Sequence, residues 1–125
     1  MKYKIIERLN PQDKTASPKF YPSIVSNGVI DLTELSRSVS KRCSLTYSDV
    51  YAVIYALLDV IPENLSNGKT VKLGDLGSFR LTLRSEGADS IDKFNPKLIK
   101  QFKVNFRQGA EFKKQLAEMK ISKAS

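Results

Sequence analysis

Apolar residues recur along this chain with two different periods, and the change of period divides it. Between Leu32 and Ile61 they fall at helical spacing, while on either side they alternate with polar residues. Asp31-Leu-Thr-Glu34 has the form of a capping box, with a side-chain oxygen at the N-cap and Glu three residues on. It opens a helix running to about Arg42, with Leu32, Leu35 and Val39 on one stripe. Thr46-Tyr-Ser-Asp49 opens a second helix in the same way, and there Val50, Val53, Ile54, Leu57, Leu58 and Ile61 make a broad apolar face. Pro62 kinks or splits this helix, because its ring clashes with the carbonyl of Leu58. Asn67-Gly68 closes it. The apolar face is too wide for one short neighbouring helix. It suits the core of a dimer, with burial inside the chain as the alternative.

After Gly68 the period becomes two. Val71 and Leu73 point one way and Lys72 the other. Phe79, Leu81 and Leu83 then alternate with Arg80, Thr82 and Arg84, and Phe102, Val104 and Phe106 with Lys103, Asn105 and Arg107. These are three strands of one antiparallel sheet, with an apolar face expected to pack on the helices. Ser85 to Lys100 forms a polar excursion between the second and third strands. Gly109 to Met119 reads as a short last helix with Phe112, Leu116 and Met119 on one stripe, and residues 120–125 as a tail. Ahead of the helices, residues 1–30 form an extension. Tyr3–Leu9 is a short strand stopped by Asn10-Pro11, and Lys19–Val25 a second, which Pro22 confines to an edge or bulge. The Asn27-Gly28 turn follows. An added hairpin or pair of edge strands on an α+β domain is the resulting picture.

The charge is distributed unevenly. The net charge is +8, and residues 69–114 hold 11 Lys and Arg against 5 Asp and Glu, whereas residues 1–68 are almost balanced. At the outward strand positions stand Lys72, Arg80, Arg84, Lys103 and Arg107 with no acid among them, as expected of a surface facing a polyanion. A basic surface kept for solubility is the plainer explanation. There is no histidine and a single cysteine, Cys43, read as a buried thiol in a reducing compartment. No nucleophile–base pair, phosphate-cradling glycine loop or spaced carboxylate cluster suggests an enzyme, and no cofactor, metal or small-molecule substrate is expected. The start lacks the apolar run of a signal peptide and no segment is long enough to span a membrane, which implies a cytoplasmic protein.

Two helices, a glycine-punctuated strand, an excursion, a return strand and a short helix follow one another over residues 30–119. This order resembles the HU and integration-host-factor family of bacterial histone-like DNA-binding proteins. Asp75-Leu76-Gly77 stands where that family has a Gly-Phe-Gly turn, and Phe106-Arg107-Gln108-Gly109 resembles its Phe-Lys-Pro-Gly approach to the final helix. The resemblance implies an intertwined homodimer with an HU-like domain over residues 31–119 and an extended β-arm over about 85–100. It also implies sequence-tolerant binding of double-stranded DNA in the nucleoid.

Family arms enter the minor groove, where an Arg-Asn-Pro tip wedges proline between base pairs. Here Phe94-Asn95-Pro96 is flanked by Lys93 and Lys97, without the Arg and behind Glu86, Asp89 and Asp92. The pair Asn95-Pro96 reads either as the wedge or as the cap of a helical turn with Pro96 at its first position. The implied contact residues are Lys69, Lys72, Arg80, Arg84, Lys93, Phe94, Pro96, Lys97, Lys100, Lys103, Arg107 and Lys113, the apolar pair for a base step and the cations for phosphates. A protein-interaction module with the same fold is the competing reading, favoured by the acidic arm and by strands 3–9 and 19–25 as open edges.

Overall fold

The computed structural model describes residues 1–125 and divides the chain into two units, 32–117 and a second made of 1–31 with 118–125. The larger unit opens with helix α1 (Leu32–Ser40), which packs on helix α2 (Tyr47–Ser66). Ser36 stands in the middle of α1. It is fully buried, and its hydroxyl donates back to the Leu32 carbonyl at 2.7 Å. The hydroxyl of Thr46 caps α2, accepting from the Asp49 N–H at 3.3 Å and donating to the Asp49 carboxylate at 2.8 Å. The helix is not split at Pro62 but runs through it. At the far end Gly68 takes φ +79°. The Gly68 N–H donates to Leu65 and the Lys69 N–H to Asn64, closing the helix with the two reverse bonds expected of a glycine stop. Cys43 lies exposed in the connection after α1, because the helix ends three residues before it. The expected buried thiol is thereby corrected.

Strands β3 (Val71–Leu73), β4 (Gly77–Ser85) and β5 (Ile99–Gln108) form an antiparallel sheet in that order. A single 3-10 turn, Gly74–Leu76, joins β3 to β4, and helix α3 (Ala110–Ala117) packs on it. Asp75 fits the turn with a negative φ, so no glycine is required at that position. Two glycines further on are required by proximity. A Cβ on Gly77 would collide with the carbonyl of Arg107, and one on Gly109 with the carbonyl of Asp75. The Gly109 N–H also donates to the Leu76 carbonyl at 3.0 Å, which ties β5 to the turn.

The apolar face of this sheet is only partly covered by the chain's own helices. Phe79 and Leu81 are half-buried, with the Phe79 and Phe106 rings 5.0 Å apart across the strands. Leu83, Phe102, Val104 and Phe106 remain exposed, at 57%, 67%, 56% and 43%. On α2, Val53 and Leu58 are more than half exposed, whereas Val50 is buried. Val50 and Leu65 are the buried apolar residues of the whole chain. Complete packing of the sheet on the helices, as alternation alone suggests, is not what one copy achieves.

The extended arm is also corrected. The β4–β5 ladder ends at Ser85 opposite Ile99, with a register shift that leaves Lys100 as an extra residue. Beyond it Glu86 to Leu98 is a connector with two 3-10 turns, Ile91–Lys93 and Pro96–Leu98. Asn95 caps the second, its side-chain oxygen accepting from the Lys97 N–H at 3.0 Å, and Pro96 sits at the first position. The helical-turn reading of Asn95-Pro96 therefore describes its conformation.

The smaller unit is a three-stranded sheet in the order β2-β1-β6. Strands β1 (Lys2–Arg8) and β2 (Lys19–Val25) form an antiparallel hairpin, and β6 (Ser122–Lys123) runs parallel to β1. Pro22 lies on the edge strand, where its missing N–H costs no ladder bond. Strand β1 is not an edge over its first residues, since β6 covers Lys2 and Tyr3. In the connecting loop the Asp13 carboxyl is held below its usual range by the Thr15 hydroxyl and N–H, which donate to it at 2.6 and 3.0 Å.

Candidate nucleic-acid interface

Register decides which side chains share a face. In the β3-β4-β5 sheet Ser78 lies opposite Arg107, Arg80 opposite Asn105, Thr82 opposite Lys103 and Arg84 opposite Gln101, while Lys72 on β3 is opposite Ser78. Residues directly opposite project on one side. All five cations expected on the outer face are thus together, and each faces an uncharged polar residue. Arg84, Lys103, Arg80 and Arg107 form a zigzag in which each is diagonal to the next, and Lys72 is diagonal to Arg80.

Such diagonals are about 7–8 Å apart. Repulsion at that distance in water is about 0.5 kcal/mol per pair, whereas directly opposed cations would be closer and less well separated by solvent. The checkerboard therefore accumulates charge on one face at little cost to the fold. No acid occupies the face.

The surface beneath this charge is concave. Lys72, Arg80 and Arg107 line a hollow of about 660 Å³ with Thr70, Ser78 and Asn105. Lys72, Arg107 and Lys113 line another of about 380 Å³, together with Gln108 and the first residues of α3. Thr70, Ser78 and Asn105 were not among the residues picked out by charge. Their outward position in the alternation is the signal that finds them, because short polar side chains between cations supply hydrogen-bond donors to a phosphate oxygen.

The remaining candidates are placed differently. Lys69 stands at the end of α2, its N–H used to close that helix. Lys93, Phe94, Pro96 and Lys97 lie in the connector, outside the zigzag. Lys100 is the extra residue at the register shift, and its ammonium is 3.2 Å from the Glu86 carboxylate. That ion pair is exposed and weak, but it partly spends the Lys100 charge inside the chain. The most exposed apolar side chain of the connector is Ile91, at 94%, against 49% for Phe94. Charge and motif matching overlooked Ile91, because it carries neither. No group of three or more His, Cys, Asp or Glu that would hold a metal ion is assembled.

The family model described as HU domain fused to wHTH, Ig, or glycine-rich motif, HU-HIG, matches residues 1–123. The chain belongs to the HU-HIG family. Two solved structures place its fold. The protein of an Anabaena HU–DNA cocrystal structure shares 28% identity over 72% of this chain and all of its own, with a TM-score of 0.56. A Bacteroides vulgatus protein, provisionally described as a bacterial DNA-binding protein, shares 16% identity over 98% of this chain, with a TM-score of 0.65. At that identity the likeness is one of fold, and the chain spans 47% of that protein's length. No curated protein sequence matches. The HU-like part resembles a protein crystallised with DNA, and the smaller unit lies within the span that the HU-HIG model matches. No helix is long and apolar enough to cross a membrane.

Proposed function

We propose that this HU-HIG chain binds double-stranded DNA through the outer face of the β3-β4-β5 sheet, without strong sequence preference, and serves an architectural role in the nucleoid. The observation that carries the proposal is the acid-free zigzag of Arg84, Lys103, Arg80 and Arg107 joined by Lys72, over hollows lined with short polar side chains. Cations so placed neutralise backbone phosphates and release condensed counterions, a source of affinity that does not depend on base identity. No helix presents a row of Arg, Asn or Gln of the kind that reads base edges in the major groove. Lys69 and Lys113 extend the contact beyond the sheet, and Lys93 and Lys97 reach phosphates from the connector.

The binding species is a homodimer. An apolar sheet face and a helix face that one copy leaves open are the surfaces a second copy covers, and the shared core supplies the burial that a chain of this size needs. Any insertion into a base step is assigned to Ile91 or Phe94, the apolar side chains the connector exposes, because Pro96 is held in a capped turn.

Fluorescence anisotropy on random-sequence duplexes of about 30 base pairs, at several salt concentrations, tests the reading. Affinity should fall steeply and log-linearly with salt, and Arg80→Gln with Arg107→Gln should lower the slope by about 2 for each chain of the dimer in contact with the duplex. Absence of binding at low salt refutes it and leaves the protein-interaction module as the function.

A further inference from the structure

The hairpin of the smaller unit sorts its charges completely. Register puts Lys2, Lys4, Ile6 and Arg8 of β1 on one side with Val25, Ser23, Tyr21 and Lys19 of β2, and Tyr3, Ile5 and Glu7 on the other with Ile24, Pro22 and Phe20. All four cations of the hairpin's strands are on one face, and their only acid is on the other, where Lys123 of β6 is paired with Tyr3. The cations are exposed.

At the end nearest the loop, Arg8 lies directly opposite Lys19. Like charges in that relation destabilise a sheet, and neither side chain is ion-paired. The same two cations, with Tyr21, Asn10 and Ser17, line a cavity of about 510 Å³. Two unpaired cations facing one another across a concave, partly polar site are best satisfied by an anion between them. Along β1, the rise of about 3.3 Å per residue sets cations two residues apart at about 6.6 Å. Lys2, Lys4 and Arg8 therefore form a row of like charge along one face of the strand, open to a polyanion.

We propose that this hairpin face is a second phosphodiester-binding surface, with one backbone phosphate seated between Arg8 and Lys19. The proposal rests on the DNA-binding reading of the larger unit, which brings a duplex to the same chain and makes the second contact an intramolecular one. A duplex is favoured over an acidic protein because the polar side chains here are cations spread along an extended strand. A protein interface would instead be centred on an apolar patch depleted of charge.

The experiment uses the full chain and a duplex of about 60 base pairs. Arg8→Gln with Lys19→Gln should lower the slope of log affinity against log salt by about 2 for each chain in contact with the duplex and weaken binding at least roughly tenfold at moderate salt. The exchange Arg8→Lys with Lys19→Arg keeps the charge and should leave the slope as in the wild type. Circular dichroism checks that each variant is folded. An unchanged slope in the neutralised variant, while Arg80→Gln with Arg107→Gln still lowers it, overturns the second surface and leaves the proposed function intact. No duplex binding by the wild type overturns both. Shifts of the Arg8 side-chain NMR signal on adding millimolar inorganic phosphate or a mononucleotide, with none on adding duplex, would identify a free-anion pocket and overturn the proposal. Equal competition by polyglutamate would do the same in favour of an acidic protein.

Discussion

The two sheets of this protein solve one electrostatic problem in opposite ways. Each carries a cationic face and an apolar face. In the β3-β4-β5 sheet every cation of the zigzag, and Lys72, is opposed by Ser, Thr, Asn or Gln, whereas the hairpin sets Arg8 against Lys19. The first arrangement spreads charge so that the fold tolerates it with nothing bound. The second leaves a local repulsion that a ligand relieves. Like-charged faces therefore differ in how strongly a bound anion should act on stability.

The largest effect that would break the comparison concerns packing. The β3-β4-β5 sheet is locked by two glycine contacts that the hairpin lacks, so Gly77→Val or Gly109→Val should cost about 3 kcal/mol or more and lower the unfolding temperature by roughly 10 °C. Gly87→Ala, in open space and without a positive φ, should change stability by less than about 0.5 kcal/mol. Thermal unfolding followed by circular dichroism reads both. Equal losses would show that the close contacts do not lock the sheet.

Next in size is the shared core. Val53→Lys with Leu57→Lys should weaken self-association at least about tenfold. Sedimentation should then find the mass of one chain at concentrations where the wild type shows two. A wild type that sediments as one chain would instead remove the dimer.

A smaller effect sharpens the electrostatic contrast directly. Ser78→Lys would place a cation opposite both Arg107 and Lys72, giving the larger sheet the defect of the hairpin, and should cost about 0.5–1 kcal/mol. Arg8→Glu should stabilise the hairpin by a similar amount at low salt. If both substitutions are neutral, register does not govern these charges.

The smallest expected change is at Asp13. Because hydrogen bonds from Thr15 lower its folded pKa, its contribution to stability is present above the ordinary carboxylate range and disappears as pH falls through the lowered value. Thr15→Ala should move the Asp13 titration upward in carboxyl NMR and slightly lower stability near neutral pH, a difference that disappears as pH falls through the lowered value.

Local signals in the sequence were legible because each has a local cause. The Thr46 cap, the Asn67-Gly68 stop, the edge position imposed by Pro22 and the turn opened by Asn95-Pro96 involve residues no more than a few positions apart. Five outward cations followed from alternation in the same way. What was not legible depends on distant chain or on absent chain. Ser122–Lys123 has no periodicity to mark a strand and becomes one only because β1 offers it an open edge. The exposure of Leu83, Phe102 and Val104 could not be read from alternation, which shows that a face is apolar but not what covers it. The connector's turns replaced an arm because the ladder ends at the Lys100 irregularity, a pairing property that composition does not carry.

The pairing of β6 with β1 also constrains the order of events during synthesis. The Ser122 N–H donates to the Met1 carbonyl at 3.1 Å and the Ala124 N–H to Tyr3 at 2.8 Å. Segments near opposite ends of the described chain must meet to complete the smaller sheet, and its third strand leaves the ribosome only after all of the larger unit has been made. A two-stranded hairpin alone is marginal in water. The smaller unit should therefore mature last, after closing the longest loop in the molecule, and stay open to proteases until the larger unit is complete.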